Sequence, residues 1–151
     1  GFNMKNINWL SSYPKSGNTW TRIFLNNLSS EKEEGVCFNE LREIDFCHAS
    51  GRHFIEKSLG FNITLLSHKE IRRLQPDIYR FFASKWNKSF TLKNHDAYTY
   101  TDGQEDFPAD VSRGALYLLR NPLEVACSYS NHNGQSIDQT IHMMPPEGHP
   151  G

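Results

Sequence analysis

The sequence lacks any long hydrophobic run, and it lacks an excess of charge of either sign. No apolar stretch among the 151 residues reaches the about 18 residues that a membrane-spanning helix requires. The 16 Lys and Arg residues nearly balance the 17 Asp and Glu residues, which gives a formal net charge of -1. Proteins that hold nucleic acid or an anionic membrane over an extended surface carry a strong positive charge. We therefore expect neither partner, and any anion-binding site must be local.

The sequence also has few cysteines, and their spacing fits no disulfide framework. The three cysteines are odd in number and form no C-x-x-C pair. The beginning of the chain lacks the apolar segment and cleavage site of a secretory signal. Both observations favour a reducing compartment, and we predict a cytoplasmic protein. The sequence offers two sets of candidate metal ligands. One set is Cys37, Cys47, His48 and His53, and the other is His132, His142 and His149. Both sets lack the paired short spacings of structural zinc sites, so we expect no metal.

Short apolar segments alternate along the chain with segments of helical periodicity. The predicted strands cover residues 6–13, 89–94 and 115–119. The predicted helices cover residues 19–28, 67–76, 76–86 and 122–131, with Pro76 ending one helix and beginning the next. The last strand is a continuous apolar run, typical of a buried parallel strand. This alternation predicts an α/β domain with a mainly parallel sheet, which binds its ligands at the carboxyl ends of the strands.

The remaining segments predict less regular structure. Residues 36–60 are expected to be irregular with one helical piece, and the acidic stretch 101–108 is expected to be a loop. Residues 131–151 are polar and end in a Pro- and Gly-rich stretch, which predicts an irregular tail. Because no closing element follows, we expect residues 1–151 to form part of a larger domain, with its core motifs in residues 6–130.

The first chemically informative segment follows the first predicted strand. It reads YPKSGNTW at residues 13–20 and leads into a predicted helix. A small loop around Gly17 lets backbone N–H groups converge, and the helix N-terminus adds its dipole. Lys15 and the hydroxyls of Ser16 and Thr19 complete the predicted anion cradle. It is not a Walker A sequence, because G-x-x-x-x-G-K-[ST] is absent, and an ordinary strand-to-helix turn is the plain alternative.

Two further segments place charged groups at the ends of strands. Arg120 follows the last predicted strand, and Ser128 lies in the helix after it, so both can bind one group beside that helix. Lys93 and His95 are two residues apart on a strand and therefore point to the same face. Histidine is the side chain best suited to accept a hydroxyl proton near neutral pH. Taken alone, each pair also fits ordinary surface residues.

Together these segments resemble one known family. YPKSGNTW is similar to the 5′-phosphosulfate loop of the sulfotransferases that use 3′-phosphoadenosine 5′-phosphosulfate, whose usual form is YPKSGTTW. LYLLRNPLEVACSYS is similar to their 3′-phosphate segment, and KNH lies between the two where the family commonly has K-T-H. The resemblance covers residues 6–130 and implies a P-loop-containing three-layer α/β fold with a central parallel sheet. The chain would hold the amino-terminal portion of that fold.

The resemblance also implies how the donor is bound at the loop. Lys15 would contact the sulfuryl group, while Ser16, Gly17, Asn18 and Thr19 would hold the 5′-phosphate. The implied co-substrate is 3′-phosphoadenosine 5′-phosphosulfate, and the reaction requires no metal.

The other matching residues receive roles at the nucleotide and at the acceptor. Trp20, whose spacing also fits an ordinary core residue, would stack on adenine, and Arg120 and Ser128 would bind the 3′-phosphate. His95 would take the proton from a hydroxyl or amine of a small-molecule acceptor. Lys93 would stabilise charge in the transition state.

Some features depart from the family pattern and keep alternatives open. Asn18 and Asn94 replace usual threonines, and both can still donate hydrogen bonds. The family's basic carboxyl-terminal segment, R-K-G-x-x-G-x-W-K, has no counterpart here, so we expect weak donor binding by this chain alone. The alternatives are a P-loop kinase or NTPase and a non-catalytic nucleotide-binding fragment. A donor with a 3′-phosphate explains both candidate anion sites, whereas ATP explains one. The sequence specifies neither the acceptor nor the oligomeric state.

Overall fold

The computed structural model describes residues 5–29 and 48–144, and predictions for the rest of the chain lie outside them. The strands are β1 Ile7–Ser12, β2 Phe90–Asn94, β3 Tyr100–Thr101, β4 Gln104–Glu105 and β5 Ser112–Leu118. The helices are α1 Asn18–Ser29, α2 Arg52–Leu59, α3 His68–Lys85, α4 Pro122–Asn133 and α5 Ile137–Met143. Within the described residues, no helix is long and apolar enough to cross a membrane.

The larger sheet is parallel and has the strand order β2-β1-β5. Ile7 of β1 pairs with Phe90 of β2, and Ser11 pairs with Asn94 of β2 and with Tyr117 of β5. Parallel strands that are in register bring their carboxyl ends to one edge of the sheet. The predicted α/β class and parallel sheet are confirmed, and the segments that carry the three motifs all lie at the carboxyl ends of strands at this edge.

The main hydrophobic core lies between one face of this sheet and helices α2 and α3. Alternate residues of the two strands face this core. They are Ile7, Trp9, Phe90 and Leu92. The Trp9 ring packs edge-on against Tyr79 of α3, with ring centroids 5.0 Å apart. Each fully buried apolar side chain contributes about 1.5–3 kcal/mol, so this packing fixes the positions of β1 and β2 and therefore of their carboxyl ends.

Helix α3 is continuous, and the prediction of two helices that meet at Pro76 is wrong. Its beginning is as predicted, because Ser67 and Glu70 form a reciprocal capping box. Pro76 removes one backbone hydrogen bond, but it is fully buried on the same side of the helix as Tyr79. The burial of this face compensates for the lost bond, so the proline does not end the helix.

Strand β5 is parallel as predicted, but the expectation that it is buried is wrong. It begins at Ser112, and its Leu116 and Tyr117 side chains are 48% and 59% exposed. β5 lies at the edge of the described sheet, where its apolar side chains remain accessible. An apolar run predicts a strand, but burial also requires a second element to pack against it.

Two segments expected to be irregular contain regular structure. In the expected tail, α5 begins with a reciprocal capping box between Ser136 and Gln139, an S-x-x-Q pattern that marks a helix start. In the expected loop 101–108, β3 and β4 form a hairpin that turns at Asp102 and Gly103. Both turn residues have positive φ, as two-residue hairpin turns require.

Helices α1, α2 and α4 agree with the sequence predictions. α1 begins at Asn18, and α2 is the helical piece expected within residues 36–60. The side chain of Asn121 caps α4 by accepting from the backbone N–H of Leu123. Gly134 then ends α4 in the left-handed conformation that favours glycine.

We predict that Asn6 is a main tether between the sheet and α3. Its buried amide donates to the carbonyls of Ala83 (2.9 Å) and Trp86 (2.8 Å) at the end of that helix. Asn6→Ala leaves both carbonyls without this donor, so the free energy of unfolding should fall by about 2 kcal/mol. Urea unfolding followed by circular dichroism measures the change. Asn8→Ala is the control, because Asn8 makes only a 3.5 Å bond to Phe90, and equal losses in both variants would contradict the prediction.

Candidate functional site

The segment between β1 and α1 has the backbone geometry of an anion-binding loop. Lys15 has a φ of 66° and Gly17 a φ of 92°, both in the left-handed region. This region is strained for lysine and open to glycine, and strained residues cluster at functional sites. The N–H of Ser16 donates to the carbonyl of Tyr13 (3.2 Å) and closes the turn that leads into α1.

The N–H groups at the beginning of α1 are available to an anion. Those of Gly17, Asn18, Thr19 and Trp20 donate to no backbone carbonyl of the described residues. They lie at the positive end of the helix dipole, directly after Lys15. Six of the predicted donor-binding residues, 15–20, therefore lie together in one cationic turn.

The side chain of Asn18 holds this loop to the end of β1. Its buried amide donates to the carbonyl of Leu10 (3.3 Å) and to the hydroxyl oxygen of Ser12 (3.1 Å). An amide has two N–H donors, and both are used here. The Asn18 side chain therefore positions the loop with both of its N–H groups, and its backbone N–H is the donor that is left for an anion.

His95 lies directly beside the same loop. Its Nδ1 donates to the carbonyl oxygen of Ser12 (2.8 Å), and the Ser12 hydroxyl oxygen is 3.3 Å from Nδ1. A carbonyl oxygen can only accept, so Nδ1 carries the hydrogen of the neutral ring and Nε2 carries the lone pair. No described residue bonds Nε2. The predicted general base therefore has its basic nitrogen unoccupied.

Asn94 separates His95 from Lys93 and faces the other way. Its amide donates to the hydroxyl oxygen of Ser11 (2.9 Å), while its buried Oδ1 has no hydrogen-bond partner among the described residues. The prediction that Asn94 can still donate is confirmed. The bond joins the carboxyl ends of β1 and β2 on the face opposite to Lys93.

Two cations lie together near this edge without counterions in the described part of the chain. Burial lowers the pKa of Lys93, and the charge of Arg22 lowers it further. Burial also lowers the pKa of Arg22, whose Nε is buried without a partner while its Nη2 donates to Thr19 (3.1 Å). Neighbouring positive charges that repel each other favour a bound anion.

His48 also lies beside Lys93 and His95, although its sequence context suggests it only as a candidate metal ligand. Its backbone forms an isolated parallel bridge with Lys93, and its ring contacts that of His95, with centroids 5.5 Å apart. Burial, and then the charges of Lys93 and His95, lower the pKa of His48 to about 4, so the ring is neutral at pH 7. The neighbouring sequence carries no signal for this contact, because the bridge joins distant segments.

Arg120 connects the loop to the beginning of α4. Its Nη1 donates to the carbonyl of Lys15 (3.1 Å), and its Nε pairs with the carboxylate of Glu124 (3.1 Å). Arg120 and Ser128 line the same open cavity of about 540 Å³, beside the exposed Cys127. The predicted pair is thus brought together, and an anion in this cavity would compete with Glu124 for the guanidinium.

Trp20 lies on the surface and is not a core residue. Its side chain is 69% exposed and stacks on Phe24, with ring planes 4° apart and centroids separated by 5.5 Å. An exposed indole can stack on a further flat ring. Stacking of adenine on Trp20 stays a prediction.

Within residues 5–29 and 48–144, no three histidine, cysteine, aspartate or glutamate side chains are grouped so that they could hold a metal ion. Two of the candidate ligands, Cys37 and Cys47, lie outside those residues.

Comparisons with known proteins assign no family. No family model matches the chain, and no curated protein matches it. The fold and site define an α/β protein in which the candidate anion-binding loop and a histidine lie side by side at the carboxyl edge of a parallel sheet.

We predict that His48 makes the fold sensitive to acid. Its folded pKa of about 4 lies below the ordinary value of 6.5, so the unfolded chain binds more protons between these values. The stability due to the neutral ring is complete above about pH 6.5 and is lost as the pH falls toward about 4. A histidine-selective NMR titration should give His48 a midpoint near 4.

Unfolding measurements at two pH values test the same effect. Between about pH 7 and about pH 5, His48→Phe should lose less stability than the wild type. His53→Phe, which replaces an exposed histidine of α2, should show the wild-type loss. A His48 midpoint near 6.5, or the same loss in both variants, would contradict the account of His48.

Proposed function

We propose that this chain transfers a sulfuryl group from 3′-phosphoadenosine 5′-phosphosulfate to a hydroxyl or amine of a small-molecule acceptor. The observation that carries the proposal is the hydrogen bond from His95 to Ser12, where β1 ends and the anion-binding loop begins. A base and a loop suited to a phosphosulfate therefore occupy the same edge of the sheet. Group transfer needs both within reach of one reacting bond.

Two neighbouring anion sites fit a nucleotide that carries phosphates on both sides of its ribose. The loop around Lys15 would take the 5′-phosphosulfate, and the cavity of Arg120 and Ser128 would take the 3′-phosphate. The hydrogen bond from Arg120 to the Lys15 carbonyl joins the two sites. A kinase or NTPase would need only the first site, so the pair of sites favours the 3′-phosphorylated donor. The exposed indole of Trp20 is available to the adenine.

The reaction is an in-line displacement at sulfur. The acceptor oxygen or nitrogen forms a bond to sulfur as the bond from sulfur to the bridging oxygen breaks. That electron pair leaves with 3′-phosphoadenosine 5′-phosphate. Lys15 and Lys93 compensate the negative charge that develops on the leaving oxygen and on the sulfuryl oxygens.

His95 receives the proton of the acceptor. The proton goes to Nε2, because Nδ1 is committed to the Ser12 carbonyl. The neutral ring of His48 adds no positive charge beside His95.

We predict that 3′-phosphoadenosine 5′-phosphate binds more tightly than AMP, because only the former has a group for the Arg120 cavity. The preference should be about tenfold or more, as one charge-assisted contact provides. Arg120→Met should remove the preference. Arg113→Met is the control, since Arg113 is an exposed cation of β5 that donates to Ser89. Isothermal titration calorimetry measures all of these affinities.

A local readout complements the calorimetry. Cys127 lines the same cavity, so 3′-phosphoadenosine 5′-phosphate should slow its alkylation by iodoacetamide more than AMP does. Equal affinities for the two nucleotides in a folded chain would contradict the 3′-phosphate site. Tighter binding of ATP would favour the kinase or NTPase.

We predict that His95→Asn abolishes transfer and leaves nucleotide binding intact. Asparagine can still donate to the Ser12 carbonyl, but it has no basic nitrogen. Loss of a general base lowers the rate by about 10²–10⁴-fold. Transfer of a radiolabelled sulfuryl group to a panel of phenols, glycosides and amines measures this, with His53→Asn as the control.

Each result of this assay distinguishes two functions. Equal transfer by His95→Asn and the wild type would contradict the role of His95. Nucleotide binding without any transfer by the wild type would favour a non-catalytic nucleotide-binding protein.

A further inference from the structure

A second cavity lies between α2, α3 and the segment that follows β2. Its volume is about 400 Å³, which falls within the about 300–1,000 Å³ typical of small-molecule sites. Ile71, Arg72 and Gln75 line it from one face of α3, and Ile55 and Ile63 line it from the other side. The cavity therefore combines apolar walls with polar groups that come from a rigid helix.

The side-chain amide of Gln75 has no protein partner in this cavity. The residue is only 8% exposed, and no described residue forms a hydrogen bond with its side chain. Its amide atoms are not among the fully buried unpaired atoms of the described residues, so they open onto the cavity and are available to a ligand. Arg72, on the same helical face, likewise forms no ion pair or hydrogen bond with a described residue. Two unpartnered polar groups in one cavity indicate a polar ligand.

Two contacts connect this cavity to His95. Asp96 lines the cavity and follows His95 directly in the chain. Ser50 also lines the cavity, and its hydroxyl lies 3.1 Å from Nδ1 of His48, whose ring contacts His95. His95 itself bonds the end of β1, so the residues next to it connect the cavity to the loop between β1 and α1.

We propose that this cavity binds the acceptor and that the acceptor is a polyhydroxylated small molecule of the size of a mono- or disaccharide. An amide, a guanidinium and the Asp96 carboxylate together offer the donors and acceptors that vicinal hydroxyls need. The isoleucines fit the C–H face of a sugar ring. None of the described lining residues is Phe, Tyr or Trp, and the imidazole of His68 is the one aromatic ring among them, so the walls favour an aliphatic ring over a flat phenol. The acceptor role rests on the proposed sulfuryl transfer.

Ligand-observed NMR titrations test the proposal without requiring turnover. The probes are the methyl α-glycosides of glucose, mannose and galactose, with para-nitrophenol as the aromatic alternative. At least one glycoside should bind more tightly than para-nitrophenol. Gln75→Leu should weaken that binding about fivefold to tenfold, because it removes the amide at constant size. Gln104→Leu, which replaces an exposed glutamine of β4, should leave it unchanged.

Three results would overturn the proposal. They are no binding of any glycoside, tighter binding of para-nitrophenol, and an equal effect of Gln75→Leu and Gln104→Leu. If circular dichroism shows that Gln75→Leu is unfolded, Arg72→Met replaces it, with Arg73→Met as its control. Arg73 pairs with Asp102 outside the cavity.

A parallel titration with 3′-phosphoadenosine 5′-phosphate separates this inference from the proposed function. Nucleotide binding without glycoside binding overturns the acceptor cavity and leaves the donor site standing. Glycoside binding without nucleotide binding overturns the acceptor role, because the molecule in the cavity would then have no donor beside it. Binding of both, each undisturbed by the other, supports both proposals.

Discussion

The hydrogen bond between His95 and the carbonyl of Ser12 is the constraint on which the candidate site depends. β1 and β2 are parallel and in register, so the residue that follows each strand lies beside the end of the other. A histidine after β2 is thereby held next to the loop after β1. The same bond fixes which ring nitrogen is basic. Asn18 reinforces the arrangement, because its amide holds the Ser12 hydroxyl from the loop side. The strand pairing thus determines the position of His95, and its bond to Ser12 determines the tautomer of the neutral ring.

Two positively charged side chains lie together near this edge, although the formal net charge of the chain is only -1. Lys93 and Arg22 repel each other and have no ion-pair partners in the described residues. His48 lies beside them as a neutral ring, because burial and its charged neighbours disfavour protonation. Five of the other described cations form ion pairs, as Arg80 does with Asp110. The pair formed by Lys93 and Arg22 stands out because burial lowers the pKa of both groups, and it lies near the edge where a local anion site is expected.

Features that depend on local signals were predictable from the sequence, and features that depend on distant contacts were not. The loop at residues 13–20 and the cap at Asn121 follow from turn and capping chemistry within a few residues. Pro76 remains inside α3 because the burial of one helix face compensates for the missing backbone hydrogen bond. That burial cannot be predicted from the residues next to Pro76. β5 is exposed because burial depends on a second element. His48 joins the site through a bridge between distant segments. A pattern of residue types predicts an element, while its surroundings depend on the whole fold.

The most direct test of the central claim is nitrogen NMR of the His95 imidazole, in the free chain and with saturating 3′-phosphoadenosine 5′-phosphate. The account predicts that the neutral ring carries its hydrogen on Nδ1 in both states, with Nε2 unprotonated and available to an acceptor. A neutral ring with its hydrogen on Nε2, or an equal mixture of the two tautomers, would mean that the Ser12 carbonyl does not orient His95. The site would then contain a loop and a histidine without the bond that directs Nε2 of the proposed base toward an acceptor.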